Sequence, residues 1–286
     1  MNQFVIIGGS PRSGTNLARR IVGSHSQIAI PPGELQFFNQ LADGKSVEEI
    51  LRNPRLEKWG IELASHYDRA PALAFVRVLE SYARKMDKTI PGEKTPACEF
   101  SYSEIKHALS DYNLKFIHMV RNPFDVMASY KHMQAMKGSS ELNSIRELIN
   151  TWVASVSLAI ERTKNDPHHY MFVRYEDMAG NPVAAAASLC EFIGVECEKD
   201  RMLGLSDFAG HRDNTSFATD TGAGHKFHDS IKAPISRKSY LSEKEVRKIS
   251  IACGAVAMEA GYSDPQFTAY PKRGLIRNWF SSLITS

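Results

Sequence analysis

The stretch from Phe4 to Val22 constrains this chain more than any other. Phe4-Val5-Ile6-Ile7 is the short apolar run of a buried strand, and Leu17-Ala18-Arg19-Arg20-Ile21-Val22 opens a helix. Between them Gly8, Gly9 and Gly14 enclose Ser10, Pro11, Arg12 and Ser13. Strand, glycine-rich turn and helix together aim main-chain amides and the positive end of a helix at a phosphate. Gly9 and Gly14 have the separation of the Walker A pattern G-x-x-x-x-G-K-[ST]. Thr15, however, stands at the lysine position and Asn16 at the metal-binding hydroxyl position. The cradle is kept, while the parts that grip a γ-phosphate and its metal are missing. Arg12 offers a planar cationic fork suited to an oxyanion instead.

The rest of the chain repeats the alternation of strand and helix that an α/β fold with a parallel sheet requires. Ser26-Gln27-Ile28-Ala29-Ile30 reads as a short strand broken by Pro31-Pro32-Gly33, with Glu34 directly after it. A carboxylate past the second strand of a parallel sheet shares an edge with the phosphate loop, where such folds bind ligands. The plain alternative is a carboxylate stabilising the N-terminus of the next helix. Residues 44–90 read as largely helical and carry no motif. Ile90-Pro91-Gly92-Glu93-Lys94-Thr95-Pro96 reads as a proline-flanked loop that exposes Lys94.

From Lys115 a strand runs into Arg121-Asn122-Pro123, with Pro123 at the first position of a helix and Asp125 in its first turn. Ser129 follows Arg121 by eight residues, about two helical turns, so the two are expected to converge on one anion. Residues 143–164 form an amphipathic pattern with Trp152 on its apolar face. Tyr170 to Met178 reads as a strand. Asn181-Pro182 opens a helix stopped by Gly194, and Ser242 with Glu245 is a capping box for a helix ending at Gly261.

Composition narrows the partners. With 286 residues, 43% hydrophobic and 23% charged, the chain can bury a sizeable core. A net charge of +3 is too mild to argue for nucleic acid; a small polyanion suffices. Cys98, Cys190, Cys197 and Cys253 lack metal-ligand spacing and read as reduced thiols. His211, His225 and His228 have no metal-binding spacing either, so no metal is expected. No apolar run reaches the roughly 18 residues of a membrane span, and no basic-then-apolar leader opens the chain. The expectation is a cytoplasmic protein without a transmembrane segment.

Pro11-Arg12-Ser13-Gly14-Thr15-Asn16 resembles the 5′-phosphosulfate loop of sulfotransferases that use 3′-phosphoadenylyl sulfate (PAPS). Residues 115–130 are similar to that family's 3′-phosphate motif, in which an arginine and a serine, here Arg121 and Ser129, bind the 3′-phosphate. The resemblance extends to the bacterial, Golgi-type and protein-tyrosine branches. It implies one domain over residues 1–286 with a P-loop-containing, three-layer fold, a central parallel sheet flanked by helices. It places the phosphosulfate loop at 8–17, a helical insertion at about 40–90 and a flap at 205–240. It further implies a cofactor set of Arg12, Ser13, Gly14, Thr15, Asn16, Arg121, Ser129, Tyr175 and Lys238, with Arg237 an open alternative to Lys238. Glu34 or a near neighbour would be the general base, with Lys94 and Arg12 stabilising charge at the reacting centre. The implied reaction moves a sulfuryl group from PAPS to a hydroxyl or amine of a carbohydrate, lipid-linked or small-molecule acceptor, without metal. A small-metabolite kinase and a non-catalytic nucleotide-binding protein are the alternatives. Asn16 departs from the family's more frequent threonine but can still donate to a phosphate oxygen.

Overall fold

The computed structural model describes residues 2–61, 71–137, 144–204 and 240–268. These fall into two compact units, residues 2–122 with 154–204 and residues 123–153 with 240–268. The first unit holds a five-stranded parallel sheet in the order β2-β3-β1-β4-β5. Its strands are β1 (Gln3–Gly8), β2 (Ile28–Ala29), β3 (Ile90–Lys94), β4 (Asn113–Val120) and β5 (Tyr170–Arg174).

Alternation along each strand splits the apolar residues between two faces. Phe4 and Ile6 of β1 join Leu114 and Phe116 of β4 in one cluster. That cluster is closed by the short helices α2 (Phe37–Ala42), α3 (Val47–Leu51) and α4 (Pro54–Lys58), and by α5 (Pro71–Lys85) and α6 (Tyr102–Ala108). Val5 and Ile7 join Ile117 and Met119 in the other. There α1 (Thr15–Gly23), α9 (Tyr175–Gly180), α10 (Pro182–Ile193) and α11 (Lys199–Gly204) complete the third layer. Each fully buried Ile or Phe contributes roughly 1.5–3 kcal/mol, so the two apolar faces together hold the sheet between its helices.

Asn181 Oδ1 accepts from the Ala184 amide at 3.1 Å and Gly194 ends α10 in the left-handed region, as the sequence predicts. The second unit contains α7 (Pro123–Lys137), the first residues of α8 (Ile145–Asn165), α12 (Glu243–Glu259) and α13 (Pro265–Thr268). Within it Phe124 stacks on Phe267 at 5.2 Å, and Lys131 pairs with Glu245 at 2.8 Å. Glu245 also closes the capping box with Ser242.

Two expectations change. Ile90-Pro91-Gly92-Glu93-Lys94 is a buried strand between β2 and β1 and not a loop, with Ala29 beside Pro91 and Val5 beside Gly92. Burial and pairing on both sides hold it extended against the low strand preference of proline and glycine. The strand from Tyr170 stops at Arg174, and Tyr175 begins α9 instead of continuing it. The flap at 205–240, with Arg237 and Lys238, lies outside the described residues except for Tyr240.

Candidate active site

All five strands point the same way, so the turns after β1, β2, β3, β4 and β5 emerge on one edge. The loop after β1 bends through three residues of positive φ, Gly9 at 123°, Arg12 at 74° and Gly14 at 95°. Arg12 is half-buried, Ser13 is buried, and α1 starts at Thr15 with Asn16 in its first turn. A Cβ on Gly14 would stand 2.4 Å from Cδ2 of Tyr175, so the tyrosine ring lies directly against the loop. The Arg121 guanidinium sits over that ring, 4.3 Å from its centroid, and its Nη1 donates to the Arg12 carbonyl at 3.4 Å. Stacking of a guanidinium on an aromatic face fixes its plane while leaving N–H groups for an anion. Arg12, Gly14, Arg121 and Tyr175 are therefore one assembly. Ser129 is buried on α7 in the other unit.

Ser13 is 1% exposed, and its Oγ has no hydrogen-bond partner among the described residues. A buried hydroxyl without a partner costs about 1–3 kcal/mol, and one in a phosphate-type loop fits an anionic ligand that would accept from it. The residues present fit a phosphate group.

Beside this loop, Glu34 and Lys94 form an ion pair. Lys94 ends β3, next to Ile7 of β1, and its side chain is 3% exposed; that of Glu34 is 26% exposed. Gln36 Nε2 holds the other Glu34 oxygen, Oε2, at 3.1 Å. The carboxylate is thus fixed at the rim with a buried cation behind it. A fixed carboxylate can take a proton from an incoming hydroxyl, and a fixed lysine can stabilise developing negative charge.

Sequence reasoning passed over the groups beneath these loops. Glu93 is buried, and its Oε1 accepts from the Leu35 and Gln36 amides, each at 3.1 Å, and from Thr95 Oγ1 at 2.6 Å. It therefore anchors the turn that carries Glu34. Burial outweighs those bonds and pushes its carboxyl up to about 7. Glu99 is fully buried and accepts from the Gly9 amide at 2.9 Å. Burial raises its carboxyl as well. Glu176 Oε1 accepts from the Asn122 amide at 3.0 Å, just past Arg121. Arg174 is paired with Asp177 at 2.7 Å. Within the motif at 90–96 Glu93 was visible as a letter; only its burial shows what it holds.

Known proteins sharpen the assignment. Residues 4–199 match the model of the sulfotransferase family. The chain is 27% identical over 179 residues to carbohydrate sulfotransferase 1 of Danio rerio, which covers 56% of this chain and 41% of that protein. It is 22% identical over 210 residues to protein-tyrosine sulfotransferase A of Caenorhabditis elegans, covering 67% of this chain and 50% of that protein. The chain thus spans half or less of the length of these curated relatives. Its fold is similar to the sulfotransferase domain of the Synechococcus PCC 7002 olefin synthase, with a TM-score of 0.61 at 17% identity over 92% of this chain and 96% of that domain. The matched span begins in β1, takes in the phosphate-type loop, the Glu34–Lys94 pair, Arg121 and Tyr175, and covers most of the chain, so this protein belongs to the sulfotransferase family.

Proposed function

We propose that this chain transfers a sulfuryl group from PAPS to a hydroxyl of an acceptor, in line and without metal. The observation that carries this reading is the Glu34–Lys94 pair set beside a phosphate-type loop that has Thr15 in place of the Walker lysine. Arg12, the Ser13 hydroxyl and the first-turn amides of α1 hold the 5′-phosphate end and Arg121 the 3′-phosphate, with Ser129 assigned to the 3′-phosphate on resemblance alone. Thr15 and Asn16 add side-chain donors, Tyr175 supports the loop, and Lys238 is assigned to the 3′-phosphate on resemblance alone. PAPS supplies the sulfuryl group. Glu34 takes the acceptor proton as the new S–O bond forms. Lys94 and Arg12 offset the charge that collects as the bond to the 5′-phosphate breaks and adenosine 3′,5′-bisphosphate (PAP) departs. The acceptor class we favour is a carbohydrate, lipid-linked or small-molecule alcohol.

Calorimetry of PAP against ADP without metal, on wild type and Arg121→Ala, tests the reading. The expected result is a preference for PAP that falls roughly ten- to a hundredfold in the variant, the worth of a charge-assisted contact. Equal or tighter binding of ADP would overturn it in favour of a kinase.

A further inference from the structure

The buried polar groups below the phosphate loop form a chain with one direction. Tyr170 Oη lies 2.6 Å from His118 Nδ1, His118 Nε2 lies 3.0 Å from Ser155 Oγ, and Ser155 Oγ donates to Glu99 Oε1 at 2.5 Å. Glu99 Oε2 then accepts from the Gly9 amide at 2.9 Å. Burial holds His118 far below its usual range, at about 3, so its imidazole is neutral and carries one proton. Because the Ser155 proton is committed to Glu99, Ser155 Oγ accepts, and the His118 proton belongs on Nε2. Nδ1 is then the acceptor for the Tyr170 hydroxyl. Every donor along the path points toward the carboxylate, and each group in it is satisfied.

The far end of this path is the phosphate loop itself. Gly9 donates its N–H to Glu99 and accepts at its C=O from the Ala97 amide at 3.0 Å, so one short segment grips both sides of the residue. Ala97 takes a left-handed φ of 66° to do so, a conformation that costs a non-glycine residue about 1 kcal/mol or more. Gly9 also lies close against β4, where an added Cβ would stand 2.3 Å from the Met119 carbonyl oxygen. A strained turn and a fully buried acid thus meet at one loop residue, with three further side chains in series behind the acid.

Resting on the sulfotransferase reading, we propose that Glu99 is a positioning residue of the 5′-phosphate subsite. It fixes Gly9, and through Gly9 the amides and side chains from Arg12 to Asn16, and touches no ligand. A positioning role of this kind discriminates between ligands: it supports the 5′-phosphate and is indifferent to the 3′-phosphate.

The test measures the Kd of PAP and of adenosine 3′-monophosphate, which lacks the 5′-phosphate, on wild type, Glu99→Met, Glu99→Gln and Ser155→Ala. Glu99→Met keeps the volume but removes both acceptors, and should weaken PAP about tenfold while leaving the monophosphate unchanged. Glu99→Gln keeps an acceptor for Gly9, because its amide can donate to Ser155 and reverse the path through His118. It should bind PAP within about threefold of wild type. Ser155→Ala should lose about threefold for PAP alone, and it decides the matter if Glu99→Met does not fold. Full PAP affinity in Glu99→Met, or equal losses for both nucleotides, would overturn the inference; with Glu99→Met unfolded, the same results in Ser155→Ala would. Wild type that fails to bind PAP overturns the sulfotransferase reading itself, a result no Glu99 variant can mimic.

Discussion

The turn after β1 and the turn after β2 open on the same edge of the sheet with opposite polarity. After β1 the rim carries cations, Arg12 with Arg121 on the ring of Tyr175, and the buried layer below carries the acid Glu99. After β2 the rim carries the acid Glu34, and the buried layer holds the cation Lys94. A second buried acid, Glu93, fastens that turn through two amides, as Glu99 fastens the first through one. In both places a rim group that would meet a ligand is separated from the buried group that aims it. On the proposed reading the two turns differ in what a substrate would bring: an anion at the first and a proton at the second.

The sharpest way to break this comparison is Glu34→Gln. If the second turn does the proton chemistry, transfer from radiolabelled PAPS to an accepted hydroxyl should fall by about 10²–10⁴, with PAP affinity unchanged. Equal losses of rate and PAP affinity would mean that the two turns are not functionally distinct.

A smaller effect reads the Glu93 anchor through pH. The folded protein holds the Glu93 proton more tightly than an unfolded chain, up to about 7 against an ordinary 4.5. The stability this group contributes is therefore full below about 4.5 and lost as pH rises toward 7. Relative to Glu93→Gln, wild type should lose about 3 kcal/mol over that window in urea unfolding. His118 acts in the opposite sense, withholding stability as pH falls from 6.5 toward 3, and cancels from this difference because both proteins contain it. A difference that stays constant with pH would show that folding leaves the Glu93 carboxyl unshifted.

The smallest effect sharpens the first turn alone. Gly14→Ala places a methyl 2.4 Å from Tyr175 and an unfavourable residue at φ 95°, and should destabilise by about 1–3 kcal/mol. Adding Tyr175→Ala should return the steric part and leave the backbone part, as read by the urea midpoint. Full additivity of the two losses would mean that the ring does not press on the loop.

Local chemistry made several features legible in the sequence. The apolar run from Phe4 and the glycines after it specify strand, loop and helix at 3–23. Asn181-Pro182 and Ser242 with Glu245 mark their helix starts through side chains that bond amides within a few residues. Arg12, Glu34, Lys94, Arg121 and Tyr175 could each be named as a candidate because each lies in a motif.

Their pairing could not be named. Glu34 and Lys94 are 60 residues apart, and Arg121 reaches Tyr175 only because β4 and β5 are neighbours in the sheet. The segment at 90–94 carries proline and glycine, which argue against a strand locally, and it became one through burial between β2 and β1. Glu93, Glu99, His118 and Ser155 carry no local signal, since a charged or polar letter on its own reads as surface. The sequence by itself determined the phosphate-type loop and its flanking elements, whose hydrogen bonds close within a few residues. Only the tertiary structure decided which acids are buried and which amides they hold, because burial and long-range register belong to the packed sheet and not to any segment of it.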